Sequence, residues 1–300
     1  MSTLALDIGG TKLAAGIVDD AGGLVHRAES PTPRGDAEAI WAVVDALITG
    51  ALSAAGGAVQ AVGIASAGPI DVPAGTVSPI NITAWQRFPI VERVGARCPG
   101  VPVRLGGDGV CMALGERWRG AARGAQFLLG MVVSTGVGGG LVLDGAPYHG
   151  RTGNAGHVGH VIVDPDGARC SCGGHGCVET VAGGPRMAQW AREHGWQAPP
   201  SADARELAAA AVAGNAVARQ AFTRAARGIA AMIASVGAVC DLDLVVIGGG
   251  VARAGAMLFH PLREALDEYA GLSFLHGLQI VPAELGGDAG LIGAAALAVS

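Results

Sequence analysis

Three cysteines and a histidine crowd one stretch of this chain, from Gly153 to Glu179, which reads G-N-A-G-H-V-G-H-V-I-V-D-P-D-G-A-R-C-S-C-G-G-H-G-C-V-E. His160 stands ten residues before Cys170, Cys172 and Cys177 follow, and Glu179 comes two residues later. Three thiolates and one imidazole complete a tetrahedral Cys3His site, and a site with no position left for water holds structure and does no hydrolysis. His175, inside the knuckle, is the alternative fourth donor. Gly173, Gly174 and Gly176 suit the tight backbone needed to bring Cys172 and Cys177 to one ion.

Two further groups of residues could handle phosphate and a hydroxyl. Near the start, Asp7-Ile-Gly9-Gly10-Thr11-Lys12 joins one acid, two glycines and a hydroxyl in a single turn. Glycines let backbone N–H groups approach a phosphate closely, and Thr11 adds a donor. Mid-chain, Ser134-Thr135-Gly136-Val137-Gly138-Gly139-Gly140 has the character of a second glycine loop, and Gly248-Gly249-Gly250 forms a third glycine cluster. Asp108 follows Gly106-Gly107 at a strand-to-helix junction, where a carboxylate can project into a cleft and meet a substrate hydroxyl. Asn81, after Ser78-Pro79-Ile80, can bind a hydroxyl or simply serve a turn.

The elements that must hold these groups follow from periodicity. Leu4–Ile8 and Leu13–Val18 read as two strands of a hairpin, and Ala37–Ala55 as a helix with Ile40, Val43, Val44, Leu47 and Ile48 at helical spacing. Val59–Ile64, Val101–Leu105, Phe127–Val133, Leu141–Leu143 and Leu242–Ile247 read as strands. Val110–Trp118, most of Ala182–Val239 and the uncharged Ala289–Val299 read as helices, the last predicted to pack back on the N-terminal domain.

At 300 residues the chain exceeds the size at which one core usually keeps growing, so two domains are expected. Half the residues are apolar, 50 are glycine and the net charge is −5, which describes a compact folded protein and excludes a basic nucleic-acid binder. The uncharged runs Ala46–Ile70 and Gly124–Leu143 are interrupted by glycines, so they read as helix and strands instead of membrane spans. The N-terminus lacks signal-peptide order, giving the expectation of a cytoplasmic protein without a membrane partner, whose other cysteines (98, 111 and 240) are reduced.

The knuckle's order of residues resembles the signature of the ROK family of sugar kinases and repressors: G-H, about ten residues, then C-x-C-G-x-x-G-C-x-E. The resemblance extends from Asp7 to the closing D-A-G-L-I-G-A-A at 288–295. It implies zinc held by His160, Cys170, Cys172 and Cys177, with His160 and Glu179 also facing a sugar. It places Gly68 and Asn81 beside that sugar and makes Asp108 the catalytic base. Asp7, Gly9, Gly10, Thr11, Lys12, Thr135, Gly136, Gly138, Gly139, Gly249 and Gly250 become contacts for ATP, used with Mg2+. The implied fold is α/β, a two-domain actin/hexokinase-like (ribonuclease-H-like duplicated) architecture with a structural zinc knuckle. Its domains would be 1–105 with the C-terminal helix 289–300, and 106–288, opening and closing about a sugar and nucleotide cleft. Family members are commonly dimers or tetramers. The family's repressors carry a DNA-binding domain ahead of D-x-G-G-T; only six residues precede Asp7, so a kinase is expected instead.

Two positions depart from the family pattern. Gly107 replaces the asparagine that usually precedes the base, and His157 replaces the glutamate of A-G-E-x-G-H. Some N-acetylmannosamine kinases show the same A-G-H-x-G-H variant, which implies ATP-dependent phosphorylation of the 6-hydroxyl of N-acetylmannosamine, with His157 at the sugar. Glucose and N-acetylglucosamine are the alternative acceptors, and a non-catalytic sugar-binding regulator is the alternative class.

Overall fold

The computed structural model describes residues 2–300. Its first series comprises β1 (Ser2–Ile8), β2 (Lys12–Asp19), β3 (Leu24–Pro31), α1 (Ala37–Ala54), β4 (Ala61–Ser66), the short β5 (Ile70–Asp71) and β6 (Thr76–Val77), α2 (Ile90–Arg97), β7 (Val103–Gly107) and α3 (Asp108–Arg119). The second comprises β8 (Leu128–Val133), β9 (Val137–Leu143), β10 (Ala146–Tyr148), α4 (Val178–Ala182), α5 (Gly184–Glu193), α6 (Ala204–Val212), α7 (Ala216–Cys240), β11 (Leu244–Gly248), α8 (Ala256–Tyr269), β12 (Gln279–Pro282) and α9 (Ala289–Val299).

Two five-stranded sheets run β3-β2-β1-β4-β7 and β10-β9-β8-β11-β12. Apart from the two-stranded β5-β6 sheet, each series thus places its strands in the order third, second, first, fourth, fifth. In both, the fourth strand runs parallel to the first and the fifth parallel to the fourth. This repeated plan is the duplicated α/β fold of the actin/hexokinase class.

The chain packs as two compact units. One holds residues up to Gln126, Gly140–Gly156 and Leu285–Ser300; the other holds Phe127–Gly139 and His157–Glu284. In the first unit, alternate residues of β1 (Leu4, Leu6, Ile8) join Leu13, Ile17, Val62 and Ile64 in a core closed by Ile40, Val44, Ile48 and Ala51 of α1. Helix α1 starts at Asp36, whose carboxylate accepts the Ala39 N–H at 2.8 Å. The other sheet face is covered by α9, and glycine makes that approach possible. A Cβ on Gly63 of β4 would fall 1.8 Å from the Ala294 carbonyl oxygen, and one on Gly293 of α9 only 1.5 Å from that of Cys111 in α3.

By length and composition α1 and α7 would pass for membrane spans, but each turns buried residues to its own unit, Ile40, Val44 and Ile48 from α1 and Phe222, Ile229, Met232 and Ile233 from α7. One element departs from expectation. Gly138, Gly139 and Gly140 lie inside β9 instead of in a loop, so the second glycine loop shrinks to the turn at Ser134–Gly136. The reason at Gly140 is contact: a Cβ there would sit 2.2 Å from the Val110 nitrogen in the first turn of α3.

Candidate functional site

In the first unit the Gly9–Lys12 turn closes with the Gly9 N–H donating to the Lys12 carbonyl at 3.0 Å. Thr32 braces it from β3's end: its hydroxyl donates to the Gly9 carbonyl at 2.7 Å and its N–H to the Thr11 carbonyl at 3.0 Å. A side chain at Gly10 would collide with Asn81, whose Cβ lies 2.3 Å from the place a Cβ would occupy. Asn81 is itself placed by the Gly68-Pro69 turn, since the Ile80 N–H donates to the Gly68 carbonyl at 3.1 Å and the Ser78 N–H to that of Pro69 at 2.9 Å. Gly10, Gly68 and Asn81, spread over some seventy residues of chain, therefore meet. Nothing local in the sequence announces Thr32.

Asp108 is the first residue of α3, exposed, with its Oδ1 accepting the Gly109 N–H at 2.7 Å. A carboxylate suits a helix N-terminus, where the partial positive charge of the free N–H groups favours it. Asp7 is the penultimate residue of β1: desolvation, and then the Asp108 charge, raise its pKa to about 6 against the opposing pull of Lys12 and Arg27. Gly290, in the first turn of α9, leaves room for that carboxylate, because a Cβ there would lie 2.5 Å from an Asp7 oxygen and would displace it. With the Asp108 charge nearby, Asp7 ionises only at a cost, one that a neighbouring cation would offset.

Glu116, at the far end of α3, is fully buried and serves architecture. Its Oε2 accepts the Ala121 N–H and its Oε1 the Leu285 N–H, both at 2.9 Å, tying the end of α3 to the segment that enters α9. Asn154, quoted within the knuckle stretch, has a similar duty. It accepts the Ile70 N–H at 3.0 Å and donates to the Ile70 carbonyl at 2.7 Å, pinning its loop to β5.

In the second unit, and among the described residues, the metal-ligating donor set is His160, Cys170, Cys172 and Cys177, with donor atoms within 4.8 Å of one another. His160 thus takes the fourth position, and His175 lies outside it. His160 Nδ1 is 3.7 Å from Cys170 Sγ, and Cys172 Sγ is 3.7 Å from Cys177 Sγ. Metal–sulfur bonds of about 2.3 Å in a tetrahedron require sulfur–sulfur edges of about 3.8 Å, so the set fits zinc. The backbone turns that present it need glycine at Gly173 (φ +95°) and Gly176 (φ +68°), the latter with a Cβ position only 1.6 Å from the Asp164 carbonyl oxygen. Burial pushes the Cys177 thiol up to about 12, so it takes a bound cation to draw out the thiolate. His157 is exposed, its ring 6.4 Å from that of His160.

Glu179 sits in α4, a helix that begins immediately after Cys177. Its Oε2 accepts the Val137 N–H at 3.0 Å, and its Oε1 accepts the Ser171 hydroxyl at 3.2 Å. The Ser134–Gly136 turn is tight, with the Ser134 N–H donating to the Gly136 carbonyl at 2.9 Å. Gly249 (φ +97°) and Gly250 lie against the same turn: Cβ atoms there would meet the Val133 carbonyl oxygen at 2.3 Å and the Ser134 hydroxyl at 3.4 Å. Thr135, Gly136, Gly249 and Gly250 are therefore neighbours, and a Cβ on Gly138 would meet open space.

A duplicated α/β fold of the actin/hexokinase class with a Cys3His knuckle is a narrow description. The chain belongs to the ROK family, whose model matches residues 3–300. It is 39% identical to an N-acetylmannosamine kinase of Citrobacter koseri, over 99% of each chain. It is 33% identical to a glucokinase of Thermotoga maritima, covering 99% of this chain and 97% of that one. Among solved structures, a ROK family glucokinase from Streptomyces griseus in complex with glucose and AMPPNP superposes with a TM-score of 0.84 at 33% identity, covering 100% of this chain and 99% of that one.

Proposed function

We propose that this protein is an ATP-dependent sugar kinase that phosphorylates the 6-hydroxyl of N-acetylmannosamine, with glucose as the second reading and N-acetylglucosamine as the third. The observation that carries the choice of sugar is His157 in A-G-H-x-G-H, joined to 39% identity with an N-acetylmannosamine kinase against 33% with a glucokinase. A neutral imidazole offers one donor and one acceptor where a carboxylate offers acceptors only, so His157 would favour a different hydroxyl or acetamido pattern.

In this reading Asp108 takes the proton of the attacking hydroxyl. Its exposure at the start of α3 gives a sugar access, and Gly68 and Asn81, the latter against Gly10, form a second group of sugar-facing candidates in the same unit. Asp7, Gly9, Gly10, Thr11 and Lys12 are the phosphate candidates of that unit; Thr135, Gly136, Gly138, Gly139, Gly249 and Gly250 are those of the other. MgATP supplies the phosphoryl group when bound, and positioning with electrostatics is most of what such a transfer asks of a protein. His160, Cys170, Cys172 and Cys177 would hold one structural zinc, with His160 and Glu179 toward the sugar. A cytoplasmic homodimer or homotetramer completes the proposal, to be checked by light scattering.

The deciding experiment is a coupled kinase assay giving kcat/KM for N-acetylmannosamine, N-acetylglucosamine and glucose. N-acetylmannosamine is expected to lead; glucose ahead by tenfold or more would make the protein a glucokinase.

A further inference from the structure

We propose that the Cys3His knuckle positions the Ser134–Gly136 turn through Glu179, so that damage to this linkage is felt first at the nucleotide. The inference rests on the reading of that turn as a phosphate contact. Four observations within one compact unit support it. Cys177, the last thiolate, is the residue from which α4 springs, and the two-residue step to Glu179 puts a carboxylate on the first turn of that helix. That carboxylate spans the gap, one oxygen on the Ser171 hydroxyl within the knuckle and the other on the Val137 N–H that follows the turn. Gly136 is cut to fit it, since a Cβ there would lie 2.4 Å from Glu179 Oε2. On the knuckle's other flank, Gly159 lies so close that its Cβ would fall 1.8 Å from the Val137 carbonyl oxygen.

Both backbone polar sides of Val137 are thus gripped from the knuckle, its N–H by Glu179 and its carbonyl side by close contact with the residue preceding His160. The hold continues along α4 and α5, where the Gly184 N–H donates to the Ser134 carbonyl at 2.7 Å. A charged acceptor on a backbone N–H is among the stronger hydrogen bonds a protein makes. A turn that must keep its N–H groups aimed at phosphate gains from being held by a cross-linked support rather than by the strand alone. Glu179 is in this sense a positioning residue.

The test uses the full chain as wild type, Glu179→Ala, Glu179→Gln and Ser171→Ala. Three quantities are read: zinc content by elemental analysis, amide hydrogen exchange across residues 133–139, and Kd for magnesium AMPPNP by calorimetry with KM for ATP and for sugar beside it. The expected result for Glu179→Ala is retained zinc, at least tenfold faster exchange at 133–139, and about a tenfold weaker Kd for magnesium AMPPNP without sugar present. Glu179→Gln, which keeps one acceptor for the Val137 N–H, should recover most of the protection, and Ser171→Ala should show a smaller effect of the same sign. Unchanged exchange at 133–139 in zinc-replete Glu179→Ala, or a rise in sugar KM with Kd for magnesium AMPPNP intact, overturns the proposal. Failure of the kinase reading is distinguishable, because wild-type protein would then turn over no sugar while the exchange measurement still reports on the linkage.

Discussion

At the scale of single residues, the chemistry asked of Asp108 is narrow enough to test by changing one atom. Asp108→Asn keeps the shape and the hydrogen bond to the Gly109 N–H but cannot accept a proton, so turnover should fall by about 10²–10⁴-fold with sugar affinity largely kept. Near wild-type kcat would remove Asp108 from the mechanism. The residue before it permits the opposite kind of change. Gly107 has φ −65° and ψ 149°, an extended conformation open to any L-residue, and a Cβ there would meet nothing within 4 Å. Gly107→Asn should therefore fold with an unchanged melting temperature while altering the relative KM values for N-acetylmannosamine and glucose. A large loss of stability would show that glycine is required at 107 by the fold. At His157 the expectation is that His157→Glu narrows the preference for N-acetylmannosamine, and an unchanged ranking of sugars would show that this side chain does not set it.

At the scale of elements, the knuckle was readable because all of its donors fall within eighteen residues, and spacing alone nearly defines a tetrahedral site; only His160 against His175 needed the fold. The strand-turn-strand at Asp7 and the helix α9 were legible for similar local reasons. The need for Gly140 within β9 was not, since close approach of α3 is a tertiary fact, and neither was the meeting of Gly10 with Asn81 across seventy residues. The grip of Glu116 on Ala121 and Leu285 depends on where the segment entering α9 lies, which no local pattern in the sequence shows. Two element-scale outcomes follow. Purified protein should carry about one zinc per chain, and Cys172→Ser should lose it together with several degrees of melting temperature, because metal binding and local folding are one free energy in such sites; metal-free protein of full stability would refute this. Gly293→Ala should also destabilise, by about 1–3 kcal/mol, since α9 can admit a methyl beside the Cys111 carbonyl only by moving away from α3. Melting curves matching wild type would mean that this contact is softer than the structure has it.

At the scale of the whole molecule, the nearness of Asp7 to Asp108 has a consequence for stability. Asp7 has its pKa raised to about 6 from an ordinary value of 3.8, first by desolvation and then by the Asp108 charge. The folded protein therefore holds this proton more tightly than the unfolded chain does. Stability changes with pH in proportion to the protons bound in the unfolded state minus those bound in the folded one. Between pH 4 and 6 that difference is negative for Asp7, so its contribution to stability falls as pH rises through this window and is level above it. Asp7→Asn cannot ionise and escapes the penalty. Because every other carboxylate titrates as well, the informative quantity is the melting temperature of Asp7→Asn minus that of wild type, measured from pH 4 to 8 without nucleotide. This difference should grow from pH 4 to about 6 and then hold constant. Asp108→Asn, by removing the second cause of the shift, should move the midpoint of wild type's decline to lower pH when compared with the double variant. A difference that is flat from pH 4 to 8 would show that Asp7 ionises in the fold as easily as in water, and that the two carboxylates do not share a field that a cation must relieve.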